Sequence, residues 1–234
     1  MEERTLRARM LLGEEAMEKL QHSHVAVFGL GGVGSWCAEA LARSGVGELT
    51  LIDQDSVSES NINRQLCALE STLGQPKVEA VARRLRDINP ALTLHLLHGC
   101  YTAADRDRFL APYDYAVDAI DLVSCKLDLI LSCRERGIPL ISALGTGNKR
   151  DAQQLRIDDI ANTHGCALAR VVRKELRSRG VLHHPVVFSP EEPMEPEQLE
   201  APPPGRRSVP GSLVWVPAAA GLLLCQHVVT ELIG

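Results

Sequence analysis

Aromatic side chains make up 3% of the 234 residues, which argues against extensive stacking of nucleic-acid bases on this protein. None of the seven cysteines (Cys37, Cys67, Cys100, Cys125, Cys133, Cys166, Cys225) is paired as C-x-x-C. That argues against a structural zinc site. Their scatter and odd number suit reduced thiols, and a buried, structural role is the expectation for all seven, with Cys166 the one nearest a substrate-facing segment. Neither sign of charge dominates: the net charge is −5, so any contact with RNA falls to local basic clusters. The first residues, Met1-Glu-Glu-Arg-Thr, lack the apolar core of a signal peptide, and a cytoplasmic location is expected. Residues 213–233 are apolar but interrupted by Pro217, Gly221, Gln226, His227, Thr230 and Glu231. A span needs about 20 predominantly apolar residues, so this segment reads as a buried or dimer-facing helix, without stable membrane insertion.

What the chain does have is a glycine turn. Gly29-Leu-Gly-Gly-Val-Gly34 follows the apolar run Val25-Ala-Val-Phe28. A strand, a glycine-rich turn and a helix form a phosphate cradle, because glycine lets the backbone turn sharply beside a ligand and the helix start offers unpaired N–H groups. Gly29, Gly31 and Gly34 fit G-x-G-x-x-G, with Gly32 inside it, which by itself reads as dinucleotide binding.

Further strands are expected at 48–52, 93–97, 115–119, 139–143 and 186–189, and helices at 13–20, 33–44, 77–89, 124–136 and 167–179. This alternation predicts an α/β fold: a Rossmann-like, doubly wound, mainly parallel sheet in a single domain. A nucleotide-binding core spans about 20–145, and a substrate-side, dimer-forming extension covers 146–234. Residues 190–211, rich in Pro and Glu around Pro202-Pro-Pro204, read as a mobile loop within it. Ligands of such sheets sit beyond the carboxyl ends of the strands. Gly29, Asp53, Asp121 and Gly145 each follow a strand end.

Asp53 stands where an acidic residue accepts from ribose hydroxyls. Downstream, Asp55-Ser-Val-Ser-Glu-Ser-Asn-Ile-Asn-Arg-Gln65 serves no purpose in hydride transfer. Arg64 is a planar fork for phosphate oxygens, with Asn61 and Gln65 as neutral hydrogen-bonders beside it. Lys77 opens a helix, where ammonium and helix dipole face one anion together. Either cation alone reads as a solvated surface charge; the two together suit a triphosphate attacked at its α-phosphorus. Asp121 can hold Mg²⁺, or cap the helix that follows. Asp118 points to the opposite face and reads as structural.

Gly-x-Gly-Gly-Val-Gly-Ser, Leu-Ile-Asp-x-Asp-x-Val, Ser-Asn-x-Asn-Arg-Gln, Gly-x-Pro-Lys and Asp-Ala-Ile-Asp together resemble the ubiquitin-activating-enzyme-like adenylating superfamily (the ThiF/MoeB type). The resemblance covers roughly residues 4 to 145. It implies ATP and Mg²⁺ as cofactors and adenylation of a carboxylate. The nucleotide-binding residues it implies are Gly29, Gly31, Gly32, Gly34, Asp53, Asp55, Asn61, Arg64, Gln65 and Lys77. The catalytic residues are Arg64, Lys77, Asp121 and Arg7, with Asp121 on the metal. Arg7 would reach into the neighbour's site in a homodimer, with Arg4 and Arg9 as rivals.

Arg9-Met-Leu-Leu-Gly-Glu-Glu15 near the start, Asp158-Asp-Ile160, Leu168-Ala-Arg170 and Gly-Ser-Leu-Val-Trp-Val-Pro-Ala-Ala-Ala-Gly near the end extend the match. They resemble the tRNA threonylcarbamoyladenosine dehydratase family over nearly the whole chain. The implied substrate is tRNA carrying threonylcarbamoyladenosine, activated on its carboxylate and cyclised by an internal nucleophile. A sulfurtransferase-type protein partner would be compatible. The rival readings are an adenylyltransferase for a ubiquitin-like sulfur-carrier protein, a NAD-dependent oxidoreductase and a non-catalytic nucleotide-binding partner. Cations for tRNA are available at Lys149, Arg150, Arg156, Arg170, Arg173, Lys174, Arg177 and Arg179, and at Arg206-Arg207. Trp215 is expected in the core.

Overall fold

A computed structural model describes residues 3–197, 199 and 209–234. In chain order the elements are α1 (Leu6–Leu12), α2 (Glu14–Gln21), β1 (His24–Phe28), α3 (Gly34–Ser44), β2 (Glu48–Asp53), α4 (Lys77–Ile88), β3 (Thr93–His98), α5 (Arg106–Phe109), β4 (Tyr115–Asp118), α6 (Val123–Glu135), β5 (Leu140–Ala143), β6 (Arg156–Asp159), α7 (Ala167–Ser178), β7 (Pro185–Phe188) and α8 (Trp215–Ile233). The strands form one sheet in the order β3-β2-β1-β4-β5-β7-β6. All pairs are parallel except β6 with β7. The mainly parallel, doubly wound expectation holds.

The central strands are apolar throughout because both faces are covered. Along β1, Val25 and Val27 belong to one buried cluster with α3, α4 and α8; Ala26 and Phe28 belong to the other, with α6 and α7. This alternation follows from the two-residue period of a strand. The chain leaves β1 towards β2 and β3, then returns to place β4 on the other side of β1. The point where the winding reverses is where doubly wound folds open a ligand crevice.

The extension after residue 145 completes the domain. It supplies β6, β7 and α7 to the sheet's far edge, and α8 packs along α3. Pro217 sits in the first turn of α8, where no backbone donor is required. The α8 face carrying Val216, Ala220, Gly221, Leu224, Cys225 and Val228 is buried, while Leu222 is 52% exposed. By length and composition α8 could cross a membrane, and 39% of its most apolar stretch is buried in the domain.

Two expectations change here. Trp215 is half exposed and donates its indole N–H to Arg150 O at 2.7 Å, so it fastens a surface loop and is not core. The residue preceding α6 is Leu122, so Asp121 does not occupy the N-cap position considered for it. Of the segment 190–211, Pro202-Pro-Pro204 and Arg206-Arg207 lie outside the described residues.

Candidate active site

A crevice of about 850 Å³ opens at the carboxyl ends of β1, β2 and β4, within the range of nucleotide-sized pockets. Its floor is the glycine turn. Gly29 has φ +90°, and a Cβ at Gly34 would lie 1.8 Å from Gly29 O, so the turn closes this tightly only with glycine. Leu30 N–H donates to Asp53 Oδ2 at 2.6 Å, and Asp55 N–H donates to Asp53 Oδ1 at 2.8 Å. Asp53 therefore ties the ends of β1 and β2 together. Burial pushes its carboxyl above the ordinary value, opposed by the Leu30 amide and the Lys77 charge.

Gly29, Gly31, Gly32, Asp53, Asp55, Asn61, Arg64, Gln65, Lys77 and Asp121 all line this one crevice. Gly34 lies beneath it, as the first residue of α3. Lys77 is buried at the start of α4, and its Nζ pairs with Asp55 Oδ2 at 2.9 Å. Arg64 Nη1 donates to Ser60 O and to Asn63 Oδ1, both at 2.8 Å. Asn61 is buried, and its Oδ1 accepts from Ser58 N–H at 3.2 Å. Gln65 is buried with Oε1 lacking a hydrogen-bond partner among the described residues. An unsatisfied buried acceptor beside a phosphate cradle is what a donor-bearing ligand would satisfy.

Arg7 is different. It is exposed on α1, away from its own chain's crevice, and α1 buries no residue. Arg4 is likewise exposed, whereas Arg9 faces Glu14 at 3.2 Å.

Behind Asp121 lies a buried charge pair. Lys126 Nζ donates to Asp118 Oδ2 at 2.6 Å and to Ala143 O at 2.9 Å, and Asp118 Oδ1 accepts from Ile120 N–H at 3.0 Å. The structural reading of Asp118 holds, and the pair anchors the turn that carries Asp121.

Sequence reasoning missed part of the wall. Asn148, at φ +61°, has its Oδ1 and N–H bonded to Gly211 N–H and O, and its carbonyl accepts from Met194 N–H. It clasps both ends of the 194–211 segment at the crevice rim. An Asn adopting a left-handed conformation is the faint signal for such a site. Lys149, counted above among the cations for tRNA, is buried and donates to Ser189 O at 3.1 Å and to Glu191 O. It is spent on holding the loop. Arg173 donates to Thr163 O at 2.5 Å, whereas Arg170, Lys174 and Arg177 form an exposed stripe on α7.

Six cysteines are buried, but Cys100 is exposed, which corrects the expectation for that residue. Cys100, Cys125 and Cys166 line the crevice. Burial raises the Cys67 thiol to about 11 and the Cys133 thiol to about 12, so neither is a nucleophile at neutral pH.

The chain matches the ThiF family over residues 3–234. A tRNA threonylcarbamoyladenosine dehydratase of Bacillus subtilis is 43% identical over 237 residues, covering 97% of this chain and 93% of the relative. The chain belongs to the ThiF family, in its tRNA threonylcarbamoyladenosine dehydratase branch. An Escherichia coli tRNA N6-threonylcarbamoyladenosine dehydratase, solved in complex with ATP, is 35% identical to this ThiF-family chain. It superposes with a TM-score of 0.88 over 98% of this chain and 93% of that one. A molybdopterin-synthase adenylyltransferase of Escherichia coli is 37% identical over 128 residues, covering 55% of this chain and 51% of the relative.

Proposed function

We propose that this chain uses ATP to adenylate the carboxylate of threonylcarbamoyladenosine in tRNA, and that cyclisation within the nucleoside follows. The observation that carries the reading is the convergence of Asn61, Arg64, Gln65 and Lys77 on a glycine cradle in a near full-length relative of the dehydratases. A carboxylate oxygen attacks the α-phosphorus and pyrophosphate leaves. A neighbouring group of the same nucleoside then attacks the acyl carbon at high effective molarity. AMP departs with one carboxylate oxygen, so the nucleoside loses the elements of one water. No enzyme nucleophile is required.

Arg64 and Lys77 hold the triphosphate and offset charge developing on its α-oxygens. For Lys77 this means exchanging Asp55 for phosphate. Asp53 orients the ribose. Asp121, which lines the crevice at the end of β4, would hold Mg²⁺, which supplies further neutralisation of phosphate charge. The α7 stripe of Arg170, Lys174 and Arg177 would take tRNA phosphates.

Homodimerisation is part of the proposal. The exposed Leu6, Met10, Leu11 and Leu12 of α1 leave apolar surface suited to a second copy, and Arg7 on that helix would enter the neighbour's crevice. The apolar outer side of α8 would be covered in the same assembly, so neither membrane insertion nor an anchor is invoked, and a cytoplasmic location is proposed.

Incubation with ATP and tRNA bearing threonylcarbamoyladenosine, followed by nucleoside mass spectrometry, should reveal loss of one water. Pyrophosphate exchange that depends on a Gly-Gly-ended carrier protein and not on tRNA would replace this reading with the sulfur-carrier one. In the tRNA assay Arg64→Ala should lower kcat/KM by at least about 100-fold.

A further inference from the structure

At the opposite end of the sheet from the crevice, three strands carry, at or near their starts, residues that can bind metal. His24 pairs in register with Glu48, and Thr50 with His95, so all four side chains share one face. Glu48 Oε1 lies 3.4 Å from His24 Nδ1 and 2.6 Å from His95 Nε2. The candidate ligand atoms all fall within 4.8 Å of one another. His24 is half-buried, held edge-on by the Tyr113 ring at 4.9 Å, with Nε2 2.8 Å from Thr50 Oγ1. A proton on Nε2 donated to that hydroxyl leaves the Nδ1 lone pair facing Glu48. This is the outer arrangement that fixes the tautomer of a metal-binding histidine. Asp114, whose Oδ2 accepts from His24 N–H at 2.7 Å, adds negative charge beside the cluster.

We propose that His24, Glu48 and His95 form a binding site for a borderline divalent transition ion, zinc in the first instance, with water completing the coordination. Two imidazoles and one carboxylate favour such an ion over magnesium or calcium, which prefer oxygen. With ligand bonds of about 2.0–2.1 Å, neighbouring ligands of a tetrahedral zinc lie about 3.4 Å apart. His24 and Glu48 already have that spacing. The 2.6 Å between His95 Nε2 and Glu48 Oε1 must widen by about 1 Å to match it, a shift open to a side chain exposed over 49%. The backbone frame is rigid because the three residues stand on hydrogen-bonded parallel strands. A bound ion would cross-link β1, β2 and β3 about 16 Å from the glycine turn, by strand rise over five residues. It should therefore stabilise the sheet without altering nucleotide binding.

The test uses the full chain, stripped with a chelator and titrated with Zn²⁺ by calorimetry and thermal unfolding, then with Co²⁺ followed by absorption. The expected result is one zinc per chain, a raised Tm, and binding weakened at least about tenfold in His95→Ala and in Glu48→Gln. The cobalt complex should show d–d bands without thiolate charge transfer, which separates this site from the cysteines. Because His95 is exposed, His95→Ala should fold normally, with its Tm insensitive to zinc. Absence of saturable binding up to about 1 mM zinc, equal affinity in His95→Ala, or a thiolate charge-transfer band would overturn the proposal.

Discussion

Lys126 and the Asp118 carboxylate it meets are both without solvent exposure. Removing one member of such a pair strands the other's charge in the interior. Lys126→Met should destabilise the domain by about 3–5 kcal/mol, measured as a shift in denaturant midpoint. Asp118→Asn in the same background should restore part of that loss. Close by, His184 is buried against Ser142 Oγ at 2.8 Å, and burial holds its pKa down to about 4 from 6.5. The unfolded chain therefore binds this proton before the folded one does. The contribution of neutral His184 is complete above about pH 6.5 and is lost as pH falls towards 4. Its full size is about 3 kcal/mol. Unfolding curves should show Tm dropping from pH 7 to pH 5 in the native protein, and dropping less in His184→Asn. The placement of Arg64 and Lys77 in one crevice was legible from their charge in the stretch after β2, and Asp118 from its place in an apolar strand. Asn148, Lys149 and His184 carried no such signal, because a clasp or a buried imidazole is defined by what packs on it from distant sequence.

Helices α3 and α8 come into close contact at Gly221, where a Cβ would lie 2.5 Å from Val33 O and 2.9 Å from Trp36 Cβ. Val33 ends the glycine turn, so this contact supports the phosphate cradle from below. Gly221→Ala should separate the helices, lower stability by about 1–3 kcal/mol and weaken ATP binding by calorimetry. Unchanged affinity would show that α8 does not steady the cradle. The core elements were legible because β1, β2, α3 and α4 combine an apolar period with glycine, proline or acidic punctuation. Helix α1 was not, since none of its residues is fully buried in its own chain and only Ala8 packs on the core, too little to leave an apolar stripe answering to the domain. Strand β6, Arg156-Ile-Asp-Asp159, lacks an apolar run; its pairing with β7 makes it a strand.

At the scale of the assembly, an Arg7 acting across a dimer gives an outcome that an arginine acting within its own chain does not. Arg7→Ala and Arg64→Ala should each abolish most turnover. When the two proteins are mixed and allowed to exchange subunits, each heterodimer holds one intact site, and activity should recover to about a quarter of the native level for a symmetric dimer. Sedimentation of Leu11→Glu should show monomers. Recovery absent despite subunit exchange would place Arg7 in its own chain's site, and full turnover in Arg7→Ala would assign it to the protein surface.

Asn148 has a consequence of another kind. Because one residue grips the chain on its way out at Met194 and on its way back at Gly211, the domain is sealed beneath that segment. Each doubling of a loop held at its ends adds only about 0.6 kcal/mol to the cost of closing it. Insertions and replacements there are therefore thermodynamically cheap. The fold carries a socket in which the chain between these two anchors can be exchanged while the glycine cradle stays as it is.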